Sequence, residues 1–195
     1  MSEKMLSKSK SKFNTKQITI IGMLFAITIV LGATGLGFIP IPPFKLTIMH
    51  IPVIIASLLE GPIVGGITGF LFGIFSIVQA INTPSPISFI FLNPIVAVLP
   101  RILIGITPYY TYKFLKTKYE KFNIAFATLV GSFTNTLGVL GLIYALYINA
   151  YANALHISHK AAVNTILALV LNGFVSGSGA ILVSVPVILA VRKTR

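Results

Sequence analysis

The stretch LTIMHIPVIIASLL, Leu46 to Leu59, decides the fold of this chain. It is uniformly apolar, yet it is 14 residues long (46 to 59), whereas a membrane-crossing helix needs about 20. Length alone would make it a re-entrant segment. Charge makes it a crossing. Basic residues mark the cytoplasmic side of a membrane protein, and here they gather at Lys4 to Lys16, at Lys113, Lys116, Lys118 and Lys121, and at Arg192, Lys193 and Arg195. The first two clusters share a side only if an even number of crossings separates them, so Leu46 to Leu59 must cross. Counted this way, 12 of the 15 basic residues lie inside, Lys45 and Lys160 lie outside, and Arg101 lies within the membrane.

Outward from this segment, five longer apolar runs supply the other spans: about Gln17 to Phe38, Pro62 to Ile81, Ser88 to Tyr112, Phe122 to Ile148 and Ala161 to Val191. The sequence therefore predicts an all-α polytopic membrane protein, a six-transmembrane-helix bundle with cytoplasmic N- and C-termini. Residues 1–16 form a basic cytoplasmic tail and residues 17–193 a single transmembrane domain. The apolar run after the tail is too long for a cleaved signal, whose core is about 7–15 residues, and reads as a retained first helix. The Pro40, Pro42 and Pro43 turn, the Asn82–Pro86 turn and the Ala150–His159 segment are expected outside, and Glu60-Gly61-Pro62 is a tight cytoplasmic hairpin.

Composition agrees. The mean hydropathy is +0.94, with 55% apolar and 9% charged residues over 195 positions, more apolar surface than a soluble domain of this size can bury. The net charge of +12 sits in short clusters between apolar runs, which is a topology signal rather than a nucleic-acid surface. There is no cysteine, so disulfides and thiolate metal sites are excluded.

Motifs for chemistry are missing. No phosphate-binding G-x-x-x-x-G-K-[ST] loop and no H-E-x-x-H occur, and the only acids are Glu3, Glu60 and Glu120. His156 and His159 read as a solvated outer loop. No enzyme activity, metal site or cofactor is expected. Ion-coupled carriers place an ionisable relay inside the bilayer, and Glu60 at a hairpin fits an interfacial cap better. If the chain moves a solute, something else drives it.

Arg101 carries the most weight. At mid-span a charge costs about 2.5–3.5 kcal/mol even on the mild insertion scale, and no intramembrane acid can pair with it. It holds an anionic ligand in a cavity open to the outside, satisfies backbone carbonyls freed by Pro100, or snorkels to an interface. Further polar residues gather in the predicted outer half: Asn82, Ser85, Ser88, Asn93, Asn135, Asn164 and Asn172, with Lys45 and His50 nearby. Asn93 precedes Pro94 and suits a helix cap as well as a ligand contact. Tyr144, Tyr147 and Tyr151 share a face, as an interfacial belt or as a stacking wall. Small residues at intervals of four, Gly22 with Ala26 and Gly65, Gly69 and Gly73, allow close helix approach. For Gly22 and Ala26, internal packing and an outward patch for a partner are equally compatible with the spacing.

Six spans in under 200 residues, an orphan cation and no motor resemble one family, the substrate-binding S components of energy-coupling factor (ECF) vitamin transporters. The resemblance runs from about Lys16 to Lys193. It rests on Gly22-x-x-x-Ala26, Ile51-Pro52, Glu60-Gly61-Pro62 with Gly65 and Gly69, Asn93-Pro94, and Pro100-Arg101. It implies a multi-pass protein of the prokaryotic plasma membrane that captures a vitamin from outside. Its implied partners are a transmembrane coupling subunit, contacted through Gly22 and Ala26, and two ATP-binding-cassette ATPases. It implies a substrate site in the outer half, among the last three helices and the first and third outer loops. The candidate residues of this chain for that site are Arg101, Asn93, Lys45, His50, Asn135, Tyr144, Asn164 and Asn172. The Pro-Arg helix looks most like the pantothenate-type subgroup, and an unpaired Arg101 suits an anionic vitamin. The rival reading is a stand-alone secondary transporter of a small organic anion.

Overall fold

The structure is a computed structural model describing residues 14–41, 44–115 and 117–194, with side chains omitted for residues 38–47. Most of the basic tail, the tip residues Pro42 and Pro43, Lys116 and Arg195 lie outside the described residues, as does the side chain of Lys45.

The first helix, α1 (Thr15–Ala33), opens at Asn14. The Asn14 side chain accepts from the Lys16 N–H while the Gln17 side chain accepts from the Asn14 N–H, a capping box that satisfies two orphan donors. α1 stops five residues before the expected Phe38. Gly35 adopts φ +73°, which a helix cannot contain, and the chain turns into an antiparallel hairpin of β1 (Phe38–Ile41) and β2 (Phe44–Thr47). The expected all-α outer turn is therefore a small two-stranded ribbon, with Phe38 opposite Thr47 and Pro40 opposite Lys45. Leu46 and Thr47 belong to β2, so the deciding segment contributes only α2 (Ile51–Glu60) as helix. Ten residues rise about 15 Å, half of the roughly 30 Å hydrocarbon core.

Eight of the ten α2 residues are buried, so α2 is the post around which the longer helices stand. Gly61 at φ +95° makes the joint to α3 (Pro62–Asn82), whose opening Pro62 gives up an N–H that would be unpaired anyway. The expected span from Ser88 is interrupted. Ser88–Phe91 forms a separate turn, α4, and α5 (Pro94–Phe114) starts only after Asn93. α6 (Glu120–Ala154) and α7 (His159–Lys193) are each 35 residues, about 52 Å long, and overhang a bilayer core of about 30 Å. The expected Ala150–His159 loop accordingly shrinks to Leu155–Ser158, because α6 continues to Ala154. His156 there is exposed, with φ +54°.

Among the described residues, five helices are long and apolar enough to cross a membrane: α1, α3, α5, α6 and α7. α3 and α5 run antiparallel and touch backbone to backbone. A Cβ on Gly65 would lie 2.2 Å from the Gly105 carbonyl oxygen, and one on Gly69 would lie 2.1 Å from that of Arg101. These glycines are spaced for contact, as the fourfold repeat predicts. At the far end of α3, Gln79 donates to the Gly32 carbonyl of α1 at 3.1 Å, so α1 and α3 run parallel. At the opposite end Arg192 of α7 gathers four elements. It donates to Glu120 of α6 (2.6 Å), to the Tyr112 hydroxyl of α5 (2.6 Å) and to the Leu58 carbonyl of α2 (3.1 Å).

Candidate functional site

The apolar interior is divided in two. One cluster centres on α2 with Leu24, Val64, Phe72, Ile104, Ile124 and Ile188; the other joins α4 to the upper parts of α5, α6 and α7 through Ile90, Val96, Ile143 and Ile166. Between them lies a polar layer fed by four elements. Gly173 of α7 faces Thr136 of α6, Gly177 faces Leu129 and Ser132, and Gly138 of α6 faces Pro100 of α5, which puts Ser132, Asn135, Pro100, Arg101, Asn172 and Ser176 within a few turns of one cross-section.

Arg101 is 8% exposed at the seam of the two clusters. Its guanidinium carbon lies 5.6 Å from the ring centroids of both Phe72 and Phe91, one ring from each side of the seam. Such contacts offset part of the desolvation of a cation. One guanidinium nitrogen donates to the Val96 carbonyl at 2.9 Å. Val96 is four residues before Pro100, so this is the carbonyl that proline deprives of its helical partner. Of the expected roles, the structure shows Arg101 satisfying the freed carbonyl; its Nε remains buried with no hydrogen-bond partner.

His50 precedes α2 and is 1% exposed. Its Nε2 pairs with the Ser132 hydroxyl at 3.1 Å, while Nδ1 is buried without a partner. Asn135 stands one turn above Ser132 on the same helix face, and its Oδ1 is likewise buried and unpartnered. Unsatisfied buried polar groups are few in native proteins and call for an explanation. Three from three elements converge on one layer here. Asn172 of α7 is half-buried in the same zone.

The remaining expected site residues divide. Asn93 is engaged already: Oδ1 accepts from the Ile95 N–H at 2.9 Å and caps α5, and Nδ2 donates to the Tyr147 hydroxyl at 2.9 Å. Asn164 is exposed on the first third of α7. Tyr144 is 53% exposed and lines an outward groove of about 280 Å³ between α6 and α7 that includes neither Arg101 nor His50. The three tyrosines do not form one belt, for Tyr151 is buried and Tyr147 is held by Asn93. Lys45 lies on β2 opposite Pro40. Sequence reasoning missed Phe72, Phe91 and Ser132. Only Ser132 left a trace, as a hydroxyl three residues before Asn135.

Gly22 and Ala26 are both exposed on α1, and a Cβ on Gly22 would meet nothing within 4 Å. Leu24, Thr28 and Gly32 form the buried face instead. Internal packing of the Gly22/Ala26 pair is thereby set aside in favour of an outward patch.

Residues 16–188 match the family model described as the substrate-specific component of an ECF transporter. The chain is similar to the pantothenic acid transporter PanT of Lactococcus lactis subsp. cremoris, with 31% identity over 152 residues, 70% of this chain and 76% of that protein. It is also similar to the pantothenate transporter PanT of Leuconostoc mesenteroides subsp. mesenteroides, with 31% identity over 140 residues, 67% and 69% of the two chains. With a family match over most of its length and several helices able to cross a bilayer, this chain belongs to the substrate-specific components of ECF transporters, membrane subunits that bind a vitamin for uptake.

Proposed function

We propose that the chain is a pantothenate-capturing subunit whose polar layer binds the vitamin, with Arg101 as the anchor for its carboxylate. The observation that carries this is the trio of buried, unpartnered polar atoms, Arg101 Nε, His50 Nδ1 and Asn135 Oδ1. Pantothenate offers a carboxylate to accept from the guanidinium, and hydroxyl and amide groups to donate to Asn135 and exchange with His50. The similar transporters named for pantothenate support the same choice of ligand. Asn172 borders the layer and serves as a further contact; Asn93 and Tyr147 shape its outer wall.

In this reading the N-terminal tail, the α2–α3 joint, the α5–α6 loop and the C-terminus face the cytoplasm, and α2 with the segment before it counts as the sixth crossing. Support comes from Arg192, which gathers the ends of α2, α5, α6 and α7 at one end of the bundle, and from the basic residues concentrated there. Residues 17–193 then form one transmembrane domain. The exposed Gly22/Ala26 face docks the coupling subunit, and the two ATPases bound to that subunit supply the energy.

Calorimetric titration of the purified chain in detergent tests the ligand. Pantothenate should bind at one per chain, and its carboxamide analogue should bind far more weakly. Equal affinity for acid and amide would remove Arg101 from the role of anion anchor.

A further inference from the structure

A second groove lies on the outer surface of the α3/α5 pair, away from the polar layer. It is a shallow, open groove of about 400 Å³ between Ile63, Gly66 and Phe70 on α3 and Ile102, Ile106 and Tyr110 on α5. It exists because the glycines on the opposite faces, Gly65, Gly69 and Gly105, bring the two backbones together, while Gly66 leaves the outer side without a side chain. Its walls are apolar and its rims are open, with Ile63 67% and Phe70 45% exposed. Eight residue steps on each helix, Pro62 to Phe70 and Ile102 to Tyr110, give a trough about 12 Å long at about 1.5 Å per residue. That is most of one leaflet of a hydrocarbon core about 30 Å thick.

The trough has a charged foot. Lys113 follows Tyr110 by three residues and Ile106 by seven, so it continues the same stripe of α5 one turn beyond the groove. It is exposed and makes no hydrogen bond or ion pair among the described residues. Two acids are described at this end: Glu120, engaged by Arg192, and Glu60, two residues before the groove residue Pro62; neither is paired with Lys113, and lysines outnumber them. Lys118 and Lys121 add positive charge at the same end.

We propose that this groove seats one acyl chain of an anionic phospholipid whose phosphate rests at Lys113. The apolar trough matches the chain in polarity and reach, and the foot matches the headgroup in sign. Neither feature belongs to vitamin binding or to the α1 face. The site gives the bundle a lipid contact on the side opposite its polar layer, at the end where Arg192 ties the helices together.

Native mass spectrometry tests this with the full chain in detergent, offered equal amounts of phosphatidylglycerol and phosphatidylcholine with identical acyl chains. The chain should retain one phosphatidylglycerol in preference by about fivefold, the effect expected of one basic residue near an anionic headgroup. Lys113→Ala should abolish the preference without abolishing lipid retention. Gly66→Leu should remove the retained lipid of either kind, since a Cβ there meets Ile106 only at an ordinary 3.7 Å and the longer side chain fills the trough. Excess inorganic phosphate should not displace the lipid. Equal retention of the two lipids by the unaltered chain, or undiminished phosphatidylglycerol on monodisperse Gly66→Leu, overturns the proposal. So does a Gly66→Leu variant that keeps its lipid and loses the coupling subunit, which would give the groove to a protein partner.

Discussion

Arg101 uses one of its donors on the carbonyl freed by Pro100 and keeps another, its Nε, buried and unpaired. In the proposed function a carboxylate takes up that donor, adding charge-assisted hydrogen bonds without new desolvation of the arginine. Truncating a buried, hydrogen-bonded charge partner typically costs about 2–5 kcal/mol. Arg101→Ala should therefore weaken pantothenate binding by roughly 30-fold to several thousandfold, measured by titration calorimetry. Arg101→Lys should recover only part of it, since a point charge cannot reproduce the guanidinium fork. Unchanged affinity in Arg101→Ala would leave the residue with its Val96 contact alone. Arg101 was legible in the sequence because a cation stands out in an apolar run. Phe72 and Phe91, which flank it, were not: two phenylalanines among 14 in an apolar chain carry no signal until the fold stacks them on the guanidinium. Asn93 was legible as a cap from Asn-Pro, whereas its bond to Tyr147, 54 residues on, was not.

At the scale of elements, the glycine spacing of α3 was readable in advance and the identity of its partner was not. The structure assigns Gly69 to the backbone of Arg101 itself, so the site and the helix contact are mechanically joined. Gly69→Ala should force α3 and α5 apart, destabilising the protein by about 1–3 kcal/mol, the usual cost of overpacking, and weakening vitamin binding with it. Gly141→Ala is the control. A Cβ there meets nothing within 4 Å, and alanine in a helix interior is better than glycine by about 0.5–1 kcal/mol, so thermal unfolding should be unchanged or raised. A stable Gly69→Ala with normal affinity would show that the helices tolerate separation. α1 carries a different lesson. Ala26→Trp should leave ligand binding intact in the purified chain and stop uptake in cells, because bulk on an exposed small-residue face blocks close helix approach. Loss of ligand binding instead would place Ala26 inside the bundle. Element boundaries were the least readable part. α1 ended early at a left-handed Gly35, and the fourth span broke at Asn93, both through backbone events that hydropathy does not register.

For the whole molecule, hydropathy and charge together predicted the membrane class and the order of helices, because both follow from lipid as the solvent. They could not predict that α2 is a ten-residue post filling only half the depth, since burial against neighbouring helices rather than lipid contact makes it apolar. The orientation is open to a direct check. Cysteines at Thr83 or Asn153 should react with an impermeant reagent on intact cells and one at Thr117 should not; labelling at Thr117 would reverse the topology. The central claim is that this chain captures the vitamin but cannot move it alone. Radiolabelled pantothenate uptake into proteoliposomes tests it most directly, comparing the chain by itself with the chain joined to its coupling subunit and ATPases. Uptake should require the full assembly and internal or external ATP on the ATPase side, and should be absent for the chain alone under any imposed proton or sodium gradient. Gradient-driven accumulation by the chain alone would contradict the account and make it a secondary transporter.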